Sequence, residues 1–197
     1  MMEAVENDRE AHSQLETNFF GPLRLIRSAP PLLRSQKSGT IVNITSVAGI
    51  DGLPTSGLYA ASKFALEGPS ESLQREVSPF GVRVLLFEPG AFRTRFLAGG
   101  SMVRPKEMEP AYKGTAVEAT LAKFKEMDGK QRGDANKAVS IIFGVVMGDG
   151  VAKGLDKGLL RLPLGEDCVQ RYETKVKGME KNLEAVKKFV LGLDVDE

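Results

Sequence analysis

Apolar positions along the chain alternate between helical and strand-like spacing. Leu15, Phe19, Leu23 and Ile26 recur at intervals of four, four and three, which places them on one face and predicts a helix over residues 3–28. Pro30-Pro31 breaks that pattern. Gly39 then opens TIVNIT at 40–45, a β-branched and nearly all apolar run, as expected of a strand buried on both faces. The small residues of 46–57 predict a loop, and 58–77 predicts a second helix with a kink at Gly68-Pro69. Pro79 and Gly81 end it. VRVLLFEPG at 82–90 is a second buried strand, stopping at Pro89-Gly90. Residues 91–135 are mixed, with a helical stretch around 115–127. Asp134 is an N-cap candidate for a helix over 134–147. LLRLPLG at 159–165 reads as a short strand, 166–190 as a polar helix and 191–197 as a frayed tail.

Strands alternating with helices imply right-handed βαβ units and a parallel sheet, here of about three strands. The expected fold is α/β, the C-terminal half of a Rossmann-like doubly wound sheet in a single partial domain over 1–197. Open α/β sheets hold their sites beyond the carboxyl ends of the strands. Two such ends are Thr45-Ser46 and Glu88-Pro89-Gly90.

Composition narrows the chemistry. With 27 basic and 26 acidic side chains the net charge is +1, which argues against nucleic-acid binding driven by bulk charge. One cysteine, Cys168, excludes an internal disulfide and a multi-cysteine zinc site. One histidine, His12, leaves little scope for a Ser-His-Asp triad or a histidine-rich metal site. The acidic, polar N-terminus resembles neither a signal nor a transit peptide, and the longest apolar runs, such as 141–147, are too short to span a bilayer. A soluble, cytoplasmic protein is expected.

Tyr59 and Lys63 stand four residues apart, on one helical face. A free tyrosine titrates near ~10, and a neighbouring ammonium favours its phenolate, so the pair makes a tuned proton donor. An ordinary helix with a snorkelling lysine gives the same spacing. Context adds Ser46 at the end of a buried strand. IVNITSVAG, YAASK and FEPGAFRT together resemble the active-site half of the classical short-chain dehydrogenase/reductase family, from about Thr17 onward. TNFFG at 17–21 is similar to the family's asparagine-bearing helix, and 133–138 and 162–168 resemble late segments of a fungal-type subgroup.

The resemblance implies roles residue by residue. Tyr59 exchanges a proton with the carbonyl or hydroxyl oxygen. Lys63 lowers the Tyr59 pKa and binds the nicotinamide ribose. Ser46 hydrogen-bonds the substrate oxygen. Asn18 holds a water in a proton relay through Lys63; the alternative is a helical polar residue satisfied by local backbone. Pro89 and Gly90 let the backbone approach the nicotinamide. Thr94 binds its carboxamide, or simply caps a helix after a loop. The cofactor is NADP or NAD, and the substrate an alcohol or carbonyl compound. Residues 91–135 correspond to a variable lid whose Phe96, Leu97, Met102, Val103, Met108 and Tyr112 suggest an apolar substrate, or merely pack the lid.

The family's Thr-Gly-x-x-x-Gly-x-Gly turn and its NAD-versus-NADP selector are missing from the sequence, so an N-terminally truncated member is expected. GDGVAKG at 148–154 mimics a phosphate loop, but the LDKGLLRLPLG after it reads as no helix. Without the front half, the 40–45 strand presents a bare edge. The resemblance also suggests a homodimer through helices 3–28 and 58–77. Two functions stand: an NAD(P)-dependent oxidoreductase, or a non-catalytic remnant or dimerising binding module.

Overall fold

The computed structural model describes residues 8–98, 108–156, 158–193 and 195. Three parallel strands, β1 (Gly39–Ile44), β2 (Val82–Pro89) and β3 (Arg161–Leu164), form one sheet in the order β1-β2-β3. The strands and the long helices agree with the sequence expectation. Residues 3–7 of the first expected helix lie outside the described residues. The rest divides into α1 (Asp8–Leu15), a π turn (Glu16–Phe20) and α2 (Gly21–Ser28). Pro30-Pro31 does not lead into a loop. Both prolines occupy the first turn of α3 (Pro30–Gln36), where a missing N–H costs nothing. Helix α4 (Gly57–Val77) runs unbroken through Pro69. Three further helices follow: α5 (Ala116–Met127), α6 (Ala135–Met147) and α7 (Glu166–Val190). Thr115 and Asp134 cap α5 and α6, each accepting a backbone N–H two residues on.

Strand alternation sorts β2 between two layers. Leu85 and Phe87 point to the α6 side and pack with Ala138, Val145, Leu162 and Leu164. Val82 and Val84 point to the α4 side and pack with Val77, Leu73 and Ile41. β2 is the buried strand, with Val84, Leu86, Phe87 and Glu88 all at 0% exposure. β1 has the bare edge that was expected, but its faces are mostly half-buried rather than buried as its composition suggested. It is an edge strand, held near its carboxyl end by Asn43, whose amide donates to Ser70 of α4 at 2.9 Å, while Ile44 is exposed. Among the described residues no helix is long and apolar enough to cross a membrane.

Candidate active site

The carboxyl ends of β1 and β2 gather most of the expected site. β1 delivers Ser46 through buried Thr45, whose hydroxyl donates to the Phe87 carbonyl of β2 at 3.2 Å. Ser46 caps the short turn Val47–Gly49: its Oγ accepts the Ala48 N–H at 3.1 Å. That bond uses a lone pair and leaves the hydroxyl proton free. The first turn of α4 places the Tyr59 phenol against Ser46, which favours the ionised phenol. Burial is the larger effect and raises the Tyr59 pKa.

Lys63 lies one helical turn on. Its Nζ donates to the Ile44 carbonyl at 3.2 Å and stands 5.8 Å from the centre of the Tyr59 ring. Burial lowers the Lys63 pKa, and the Glu67 carboxylate opposes that. The tyrosine is therefore not acidified as the spacing suggested. The ammonium is turned to a strand-end carbonyl, and desolvation prevails at both groups.

Asn18 sits in the π turn, a local widening often found at functional sites. Its amide crosses to α4 and donates to Ser62 Oγ at 3.1 Å, while Ser62 donates to the Tyr59 carbonyl at 2.7 Å. The side chain is thus engaged between helices rather than with local backbone. Thr94 lies on the exposed loop beyond β2, and its Oγ1 accepts the Phe96 N–H at 3.2 Å. Phe96 brings that loop to the site, its ring centre 5.7 Å from that of Tyr59. Of the other lid residues, Leu97 is buried, Met108 and Tyr112 are half-buried, and Met102 and Val103 lie outside the described residues.

Gly90 has a local reason to be glycine. A Cβ there would fall on the Asp167 carboxylate, which accepts the Ala91 N–H at 2.8 Å. Asp167 was missed in the sequence, because nothing near it in the chain marks it as a partner of the β2 end. The 148–154 segment is no phosphate loop: Gly148 ends α6 in the left-handed conformation, and a short turn then leads towards β3.

Sequence reasoning also missed a buried ionic cluster behind Lys63. Glu88, on the α4 face of β2, accepts from the Tyr172 hydroxyl, which lies 2.8 and 2.7 Å from its two carboxyl oxygens. Arg161 of β3 reaches Glu67 at 3.0 Å, Glu71 at 2.8 Å and Glu88 at 3.9 Å. One Glu67 oxygen is buried without a hydrogen-bond partner. Burial pushes the Glu88 carboxyl up to about 7, and the Glu67 charge adds to the rise.

The family model for short chain dehydrogenases matches residues 2–101, half of the chain. The chain belongs to the short-chain dehydrogenase family. It is similar to the oxidoreductase claN of Passalora fulva, 48% identical over 126 residues, which cover 64% of this chain and 56% of that protein. It is 33% identical to the oxidoreductase calM of Penicillium decumbens over 187 residues, covering 91% of this chain and 59% of that one. A crystal structure of a short-chain dehydrogenase from Streptomyces avermitilis superposes with a TM-score of 0.80 at 34% identity, covering 96% of this chain and 65% of that chain. A Burkholderia cenocepacia short chain dehydrogenase solved with NADP shares the fold at 20% identity and a TM-score of 0.56. The chain spans little more than half the length of these fungal relatives.

Proposed function

We propose that this chain carries the proton-transfer half of an NAD(P)-dependent oxidoreductase that interconverts a secondary alcohol and a carbonyl compound. The observation behind this reading is the placing of Ser46, Tyr59 and Lys63 at the carboxyl end of β1. The two ends of the cofactor fare differently. Half-buried Tyr59 and Lys63 and the hydroxyl of Thr94 suit a nicotinamide ribose and carboxamide. Among the described residues no Gly-x-x-x-Gly-x-Gly turn opens a helix to cradle a pyrophosphate.

A nicotinamide group, when bound, gives hydride to the carbonyl carbon or takes it from the alcohol. Ser46 donates its free proton to the substrate oxygen and stabilises the charge that builds there. Tyr59, kept protonated by burial, gives its phenolic proton to that oxygen during reduction. Lys63 and Asn18 hold α4 against β1 and the π turn, which fixes the phenol. Phe96 sets an apolar ring beside Tyr59, which favours an apolar substrate.

The test is NADH and NADPH oxidation with a panel of apolar ketones. Tyr59→Phe should lower the rate by about 10²–10⁴, the usual worth of a positioned acid. An unchanged rate would refute the assignment. The competing reading, a binding module, is favoured by the 148–154 segment leading to a strand rather than a helix. It requires that neither nucleotide bind to this chain by calorimetry.

A further inference from the structure

Helix α7 carries an apolar seam that the body of the protein does not use. Its first turns are engaged: Cys168 donates to the Glu88 carbonyl, Tyr172 to the Glu88 carboxylate, and Arg171 to Asp51 at 2.7 Å. Beyond Tyr172 the helix continues to Val190, and its apolar side chains face solvent, with Met179 at 61% and Leu183 at 59% exposure. Their spacing is regular. Val176, Met179, Leu183, Val186 and Val190 follow one another at three, four, three and four residues, and Leu193 comes three further on. That is the 3.5-residue repeat of a coiled-coil seam, narrower than the stripe of a helix lying on a globular core. In heptad terms Val176, Leu183 and Val190 are a positions, and Met179 and Val186 are d positions. Gly178 falls at c, away from the seam.

We infer that two copies of this chain pair through α7 as a short parallel coiled coil from Val176 to Val190. A seam of this period is complementary to itself. The flanking charges agree with it: Lys175 at g faces Glu180 at e of the second copy, twice by symmetry. Valine at two of the three a positions leans towards two strands, and the parallel orientation rests on the charge pairs. An antiparallel pair in the matching register joins Glu173 to Lys187, but sets Glu180 against its own copy at the centre. The interface differs from the α1 and α4 surfaces to which the family resemblance points, and it is independent of any catalytic role.

Sedimentation equilibrium of the full chain across a range of concentrations tests the inference. The wild type should shift from monomer to dimer. Leu183→Glu should remain monomeric throughout with an unchanged circular dichroism spectrum, since Leu183 is an exposed position. Met179→Cys should form a disulfide between copies under mild oxidation, whereas the wild-type thiol, Cys168, is buried and should not. A wild type that stays monomeric overturns the inference and leaves the seam to another segment or another protein. A dimer that survives Leu183→Glu also overturns it and moves the interface elsewhere. A dimer of Met179→Cys that does not cross-link refutes the parallel arrangement.

Discussion

Replacing Glu88 by glutamine should change how the stability of the chain depends on pH. Glu88 has 0% exposure and faces Glu67 of α4, Arg161 of β3 and Tyr172 of α7, while the Cys168 thiol donates to its backbone carbonyl. Its carboxyl is pushed up to about 7 from an ordinary 4.5, chiefly by burial. The folded chain therefore holds this proton more tightly than the unfolded chain. The resulting stabilisation is complete below about pH 4.5 and is lost as pH rises through about 7. At about 1.4 kcal/mol per pKa unit, the loss is about 3 kcal/mol between those limits. Glu71 acts in the opposite sense: Arg161 holds its carboxyl below the usual range, so its contribution changes only at more acidic pH.

Urea or thermal unfolding at intervals from pH 5 to pH 8 is the assay. The wild type should lose about 2.5 kcal/mol across that range, a fall in Tm of roughly 5–10 °C for a chain of this size. Glu88→Gln keeps an oxygen acceptor for the Tyr172 hydroxyl and has no proton to lose. Its curve should stay flat to within about 1 kcal/mol and meet the wild type near pH 5, where Glu88 is already neutral. Parallel curves for the two proteins would refute the argument, because they would mean that Glu88 does not titrate between these limits.

Two further substitutions test the geometry around the β2 end. Gly90→Ala drives a methyl group into the Asp167 carboxylate and should destabilise by about 1–3 kcal/mol in denaturant unfolding. Adding Asp167→Ala should recover part of that loss, whereas strictly additive losses would mean that the two residues do not meet. Phe96→Ala uncovers one face of the Tyr59 ring and should move its phenolate absorbance to lower pH in an ultraviolet titration, Tyr59→Phe serving to isolate the signal. An unchanged titration would mean that the lid ring contributes nothing to the Tyr59 desolvation.

The element order was legible because it is written locally. β-branched runs, an Asp cap and 3.6-residue spacing need no knowledge of distant residues, and β2, α4, α6 and α7 follow from them. α3 was hidden because two prolines read as a stop, while at the start of a helix they are well placed. The Ser46, Tyr59 and Lys63 constellation was legible through motif and spacing, whereas the Asn18 bond to Ser62 of α4 was not, because it joins residues 44 apart. The Glu67, Glu88 and Arg161 cluster was not, because its partners are joined only by the fold: Arg161 lies 94 residues from Glu67, and Tyr172 lies 84 from Glu88. Strand alternation alone carried a hint, since Glu88 falls on the same face as Val82, Val84 and Leu86. The α7 seam was also on view in the sequence, but the many lysines and glutamates between its members made the helix read simply as polar.

If the proposed function holds, the tyrosine and lysine of the site bear on the direction of its reaction. The spacing of Tyr59 and Lys63 suggests an ammonium that acidifies a phenol, yet the fold sends that ammonium to the Ile44 carbonyl. A hydrogen bond from a charged donor contributes about 1.5–3 kcal/mol, and a tenfold change in phenol ionisation corresponds to about 1.4 kcal/mol. The two are of one size. Lys63 therefore leaves Ile44 only for an acceptor that returns as much, such as a ribose hydroxyl together with a phenolate. Until then burial keeps Tyr59 protonated, which suits an acid that completes carbonyl reduction and does not suit a base that begins alcohol oxidation. Under the proposed function the same residues would serve oxidation once Lys63 turns. On this view the orientation of one lysine side chain, set by the bare end of β1, sets the proton state of the site.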